Sequence, residues 1–268
     1  MFLELDFSTS AKIIDTHCHL DSEVFADDLD ELLEHSFKNA IDKVIIPAAN
    51  PQDLSKSVKL CERYKELYFA VGTHPYECDK FDEKLLRELI THKKCVAVGE
   101  CGFDYYHSKD EAMKTSQRLV FEAQLELACE FQKPVIIHSR EANEDTYQTL
   151  KKYAPKLVGG VLHCFNASEL LLSLYEYNFY FGIGGVLTFK NAKNLVSILP
   201  KIPKEKLLLE TDAPYLSPEP FRGKRNEPIL THFVASKMAE LLAMPRDELI
   251  ALCTHNAKEL FFKENKAS

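Results

Sequence analysis

The chain has no long hydrophobic run. Its longest apolar stretches, such as "LVGGVLHCF" and "FYFGIGGVLTF", fall far short of the ~20 residues a membrane-spanning helix needs. The opening "MFLELDFSTSAK" lacks both a basic start and a long apolar core, which reads against a secretory leader. No C-x-x-C pair occurs among Cys18, Cys61, Cys78, Cys95, Cys101, Cys129, Cys164 and Cys253. Scattered mostly through apolar segments, they read as free thiols of a reducing cytoplasm. Positive charge is scarce too: a net charge of -8 argues against a general polyanion-binding surface, because phosphate affinity comes mainly from Lys and Arg. Any nucleic-acid contact must be a local basic patch or be made through bound cations. There is no low-complexity tract and no Pro/Gly/Ser-rich linker, so residues 1–268 read as one domain with residues 1–11 as an N-terminal extension.

What is present is an alternation of short β-branched runs with longer segments of helical spacing. The strand candidates are 12–15, 43–48, 67–72, 95–100, 134–139, 160–165, 179–184 and 206–211. Between them, Leu29, Leu32, Leu33 and Ala40 share a helical face, as do Leu85, Leu86, Leu89 and Ile90. Asp82 and Ser168 stand where helix N-caps are expected. The C-terminal segment 247–261 reads as an amphipathic closing helix in which Asn256 is structural. Strands that are apolar almost throughout are buried on both faces, as parallel sheets require. Eight strand-helix units in roughly 250 residues are the arithmetic of a single (β/α)8 TIM barrel. The competing open doubly wound sheet lacks its G-x-G-x-x-G fingerprint after the first strand.

Barrel enzymes carry their chemistry at the C-terminal ends of the strands. Strand 1 ends on His17 and His19, strand 3 on His74, strand 4 on Glu100, strand 5 on His138, strand 6 on His163 and strand 8 on Asp212. Five of the ten histidines thus fall on one predicted rim, while His35, His92, His107, His232 and His255 fall in helices or loops. His17 and His19, two apart in an extended strand, point to the same side, with Cys18 turned toward the helices. Glu100 and Asp212 follow apolar strands and need a countercharge or a metal; the bland alternative is an ion pair with Arg140 or Lys224. A histidine and carboxylate set suits Zn, Mn or Mg. Six ligands drawn from this set exceed one tetrahedral ion, and two metals about 4 Å apart, bridged by Glu100, would use all six.

Seven motifs, "DTHCHLD", "GTHP", "GECGFDYY", "QRLVFEAQLELA", "PVIIHSR", "HCF" and "LLLETDAPYLSP…RGKRNEP", stand in the order found in the TatD family of metal-dependent deoxyribonucleases, a branch of the amidohydrolase superfamily. The chain resembles that family from about residue 12 to 262. The resemblance implies that His17 and His19 bind one metal, that Glu100 bridges, and that His138 and His163 bind the second. Asp212 becomes a ligand that also orients or deprotonates the attacking water, and His74 a group near the scissile phosphate. Asp104 would support a neighbouring histidine or the substrate. Phe103 departs from the leucine more often found there, a matter of packing.

By the same resemblance, the activity expected is divalent-metal-dependent hydrolysis of DNA, from the 3′ end of single strands, with RNA accepted by some members and Asp212, Glu100 and His74 as the catalytic set. Beside that resemblance, Arg140, Arg222, Lys224 and Arg225 are candidates to reach phosphates, against the reading of a solvated basic loop. Tyr105 and Tyr106 are candidates for base stacking or for burial. Asp15 either orients a ligand histidine or merely ends its strand. The rival readings are a D-aminoacyl-tRNA deacylase or a small-molecule amidohydrolase on the same metal core, and a non-catalytic interaction protein. Small-molecule amidohydrolases often bridge their metals with a modified lysine where this chain has Glu100. No membrane and no obligate protein partner are expected.

Overall fold

The computed structural model describes residues 1–107 and 110–263. Eight parallel strands run in the order β1 Ile13–Asp15, β2 Ile41–Ile46, β3 Leu67–Val71, β4 Cys95–Asp104, β5 Val135–Arg140, β6 Gly160–Leu162, β7 Phe179–Ile183 and β8 Leu207–Leu209, each paired with its neighbour in sequence. The β8 edge returns to β1, where Thr16 N–H donates to Leu209 O at 3.1 Å. At this seam the Asp15 carboxylate accepts from Thr211 N–H at 3.0 Å and from Thr211 Oγ at 2.6 Å. The outcome is a TIM barrel.

The helices are α1 Leu29–Lys38, α2 Leu54–Arg63, α3 Glu83–Leu89, α4 Glu111–Phe131, α5 Asn143–Tyr153, α6 Glu169–Leu172, α7 Lys193–Ile198, α8 Thr231–Leu241 and α9 Arg246–Phe261. Asp82 caps α3 by accepting from Leu85 N–H, and Ser168 caps α6 by accepting from Leu171 N–H. Ala40 falls outside the expected helical face. The helix ends at Lys38, and Ala40 takes a positive φ of 68° that turns the chain into β2.

Two apolar layers follow from the two-residue period of a strand. The larger layer, including Ile13, Val44, Phe69, Val98, Ile137, Leu162, Phe181 and Leu209, packs against the helices. The smaller takes Ile14, Ile45, Ala70, Val96, Ala97, Ile136, Val161, Tyr180 and Leu208, at least one from every strand, together with Ala257, Leu260 and Phe261 of α9. Helix α9 therefore closes the end where the strands begin. Asn256, buried in it, donates to Lys204 O and Leu207 O at 2.9 Å each, fastening the helix to the start of β8. Residues 1–11 lie along the outside, with Phe2 and Phe7 packed beside Phe221, Ile229, Leu230 and Phe233.

The strand β4 runs four residues past its expected end. Opposite β5, the stretch from Val98 to Cys101 spans one residue more than Val135 to Ile137, so a bulge sits at Gly99 and Glu100. Gly99 is required there: its φ is +145°, and a Cβ would come 2.5 Å from Ile136 O. The bulge aims Glu100 into the barrel mouth.

Candidate metal centre at the barrel mouth

Beyond the inner apolar ring, the same inward positions turn polar. His138 lies two residues on from Ile136 and His163 two on from Val161; Glu210 and Asp212 lie two and four on from Leu208. The strand β1 itself stops at Asp15, so His17 and His19 are not on a continuous strand as expected. Extended pairing resumes at Cys18, which bridges to Ala213, with His19 N–H on Ala213 O at 2.7 Å and Asp212 N–H on His17 O at 2.8 Å. The two imidazoles therefore share a side, with ring centroids 5.1 Å apart. Cys18 is fully buried in the helix-side layer.

Glu100 is buried at the centre, and its two oxygens face different partners. Oε2 lies 3.2 Å from His17 Nε2 and 3.9 Å from His19 Nε2. Oε1 lies 2.7 Å from His138 Nδ1, 3.0 Å from His163 Nε2 and 3.6 Å from His74 Nε2. Asp212 Oδ1 adds to the first side, 3.4 Å from His19 Nε2 and 3.7 Å from His17 Nε2. Among the described residues, the charged partners of both carboxylates are histidines; neither pairs with Arg140 or Lys224.

Burial opposes charge throughout this cluster, and its success varies. Burial wins at His17, helped by His163, and at His74, which it holds down to about 3 against the pull of Glu100. At Glu100 burial is outweighed by the charges of His163 and His17 and by hydrogen bonds from His138 and His163, so the carboxylate stays ionised well below its usual range. At His163 burial is likewise outweighed, by Glu100 and Glu210, and the ring holds its proton well above the usual value. His19 and His138 are raised against burial through Asp212 and through Asp104 with Glu100, respectively.

The donor set fits a divalent cation. The ring nitrogens of His17 and Nδ1 of His163 are buried without a hydrogen-bond partner, an arrangement costly for a purely structural histidine. Three groups have donor atoms within 4.8 Å of one another: His17, His163 and Asp212; His17, His19 and Glu100; His74, Glu100 and His138. Nitrogen and carboxylate oxygen with no thiolate is the chemistry of Zn, Mn or Mg rather than of a soft metal. The cluster opens into a cavity of about 580 Å³.

The sequence from residue 14 to 262 matches the family described as TatD related DNase. The chain belongs to that family. A metal-dependent hydrolase of Bacillus subtilis called YabD, itself uncharacterized, is 40% identical over 93% of this chain and 98% of its own. The 3'-5' ssDNA/RNA exonuclease TatD of Escherichia fergusonii is 32% identical over 93% of this chain and 98% of its own. Among solved structures, the TatD homolog YJJV of Escherichia coli K12 superposes with a TM-score of 0.86 at 31% identity, covering 94% of this chain and 98% of that one. The TatD-family chain described here is accordingly a metal-dependent hydrolase.

Within this TatD-family fold, Asp104 stands where a supporting carboxylate is useful. Its Oδ2 is 3.0 Å from His138 Nε2 and accepts from Tyr76 OH at 2.7 Å. Asp104 would keep a proton on Nε2 when Nδ1, 2.7 Å from Glu100 Oε1, gives up its own proton to bind a cation. Asp15 touches no imidazole. It accepts from the His17 backbone N–H at 3.3 Å and stitches β1 to β8, and burial pushes its carboxyl up to about 7 against those hydrogen bonds.

Of the basic candidates, Arg140 lines the cavity, with its guanidinium 4.0 Å from the Tyr106 ring centroid. The other three lie apart from the cavity lining. Arg225 is spent on Asp28 at 2.6 Å and Glu227 at 2.8 Å, Arg222 covers the Phe189 ring, and Lys224 lies by Phe2 and Phe221. Tyr105 is half-buried with its hydroxyl on Asp145; Tyr106 is exposed.

Three features escaped the sequence reading. Glu210 is fully buried, accepts from Cys164 N–H at 2.5 Å and lies 3.7 Å from His163 Nδ1. Gly182 makes its room, since a Cβ there would collide with the carboxylate. Its signal was the two-residue spacing from Asp212. Gln117 and Gln124, seven apart on one face of α4, grip the backbone of Asp104 and Thr73 through both amide ends. His107, assigned to a loop, lines the cavity and sits beside Asp104.

Proposed function

We propose that this site hydrolyses phosphodiester bonds at the 3′ end of single-stranded DNA, with RNA also accepted, using two divalent cations. The observation that carries the reading is the division of labour at Glu100: Oε2 faces His17 and His19, and Oε1 faces His138 and His163. One carboxylate with two differently occupied sides is what a bridging ligand requires. His17, His19 and Asp212 would hold one cation and His138 with His163 the other. When bound, the pair would polarise the phosphoryl group and lower the pKa of water.

The chain's own groups supply the rest. Asp212 keeps its carboxylate ionised, since its contacts with His19, His163 and His17 outweigh burial, and it opens on the cavity. It is placed to take the proton of the attacking water. His74 accepts the Tyr76 backbone N–H on Nδ1 at 3.2 Å, which leaves the proton of this neutral ring on Nε2. It can donate to a phosphate oxygen as charge builds there. Arg140 offers a cation at the rim, where phosphate contacts position the strand. Cations held there would compensate for the scarcity of other Lys and Arg around the cavity. The exonuclease of Escherichia fergusonii, similar along nearly the whole chain, supports this substrate class.

The test is incubation of the protein with 5′-labelled single-stranded DNA and Mg²⁺ or Mn²⁺, with EDTA and Glu100→Ala controls. A ladder shortening from the 3′ end, absent from both controls, is expected. Equal products from wild type and Glu100→Ala would refute the nuclease reading.

A further inference from the structure

The loop that follows β8 delivers Asp212 inward and then turns two large apolar residues out over the cavity. Tyr215 is 59% exposed and Leu216 37% exposed, and both line the cavity. This exposure is not slack. Asn226, fully buried, donates through its side-chain amide to Thr211 O at 2.8 Å and to Tyr215 O at 2.7 Å, and its own N–H bonds Pro214 O. Leu216 O packs so closely on Gly185 that a Cβ there would collide with it.

The loop also holds two side-chain-bearing residues in the left-handed region, Asp212 at φ 58° and Leu216 at φ 54°. For a leucine this is a costly conformation, kept only where the surroundings over-determine it. The framework thus fixes the Tyr215 backbone on both sides while its ring is left largely in water. Among the described residues, the ring's one aromatic neighbour is His19, 6.0 Å away and edge-on.

A second exposed aromatic stands at the β3 side of the same mouth. Tyr76 is 41% exposed, and its hydroxyl is anchored on Asp104 while its ring lies beside His74 and His107. Of the ten large hydrophobic side chains exposed among the described residues, Tyr76, Tyr215 and Leu216 line this one cavity. Exposed apolar surface gathered at a polar, cation-binding centre marks a place for a flat apolar ligand part attached to an anionic one. An unpaired nucleobase on its phosphate has that character, and bases stack on aromatic side chains irrespective of sequence.

We infer that Tyr215, carried on its rigid loop with Leu216 beside it, is the stacking platform for the terminal base of the strand, and that Tyr76 flanks the same subsite. This rests on the nuclease reading and deepens it: the platform requires a base freed from its partner, so it selects single-stranded ends. Tyr215 is a binding residue here, acting on the position of the scissile phosphate and not on the chemistry.

The experiment pairs two substrates with three proteins. Single-stranded 5′-fluorescein oligonucleotides ending in a normal 3′ nucleotide or in a 3′ abasic residue are titrated with Mn²⁺-loaded Asp212→Asn protein by fluorescence anisotropy, with Tyr215→Ala or Tyr215→Phe added to that background. Steady-state cleavage is followed with the same Tyr215 substitutions in otherwise wild-type protein. Removing the ring is expected to weaken binding of the normal end roughly tenfold and to raise KM in step, with kcat changed far less. Tyr215→Phe restores both, and the abasic end binds the parent and Tyr215→Ala proteins alike. If Tyr215→Ala binds and cleaves the normal end as its parent does, the platform is refuted while the nuclease reading stands. If wild type shortens no strand and Asp212→Asn binds none, the nuclease reading falls and the platform with it.

Discussion

The two ends of the barrel are built from the same strands and do opposite things. At the end where the strands begin, one inward residue from each strand meets Ala257, Leu260 and Phe261 of α9. These side chains are buried in one apolar cluster, and burial stabilises by roughly 1.5–3 kcal/mol for each large apolar side chain. Two to four residues further along several of those strands, the inward positions become His138, His163, Glu210 and Asp212, with Glu100 turned in by its bulge. There burial is a cost, offset by mutual charge and, in a metal-dependent hydrolase, by the cation. Stability is concentrated at one end and chemistry at the other, and substitutions should separate them.

The largest separation is expected from Glu100→Ala. Hydrolysis should fall about a hundred- to a thousandfold, in the range that follows loss of a central electrostatic group, while circular dichroism and thermal melting show a folded barrel. Phe261→Ala should do the reverse. Loss of this buried ring costs about 3–5 kcal/mol of stability, read by denaturant unfolding, with activity per folded molecule retained. An intermediate case is Glu210→Gln, which keeps the shape but removes the charge facing His163. Metal affinity should weaken about 10- to 100-fold, measured by competition with a fluorescent chelator, and a protein with unchanged affinity would reduce Glu210 to a clasp on the Cys164 backbone.

The smallest effect is one of pH. His19, His138 and His163 hold their protons above the usual histidine value of 6.5, and a cation must displace those protons. Affinity should therefore weaken as pH falls and rise as pH climbs through the raised range. Affinity flat across about pH 6 to 8 would count against imidazole ligation.

The contrast between the two ends was unevenly legible in the sequence. The apolar runs announced eight buried strands, and the histidines and acids at their ends announced a rim, because period-two alternation and strand polarity are written in residue order. Glu210 was missed because a glutamate between "LLL" and "TDAP" looks like a strand end; its two-residue spacing from Asp212 was the one sequence signal of an inward side chain, and the space left by Gly182 accommodates it. The reach of Arg225 was misjudged for the opposite reason: its partners Asp28 and Glu227 include one 197 residues away, and no local pattern encodes such a pairing. The bulge at Gly99 and Glu100, which decides where the central carboxylate points, arises from register against β5 and is equally invisible to spacing along one strand.

Glu100 presents one oxygen to each of two donor sets, and the metal stoichiometry of the folded protein tests its bridging role most directly. Titration of chelator-treated protein with Mn²⁺, followed by isothermal calorimetry and checked by elemental analysis, should saturate at two ions per chain in wild type. Glu100→Ala should take up fewer than two under the same conditions. A wild-type protein that saturates at one ion, or a Glu100→Ala protein that still binds two with undiminished affinity, would contradict the bridging role and the two-cation chemistry built on it.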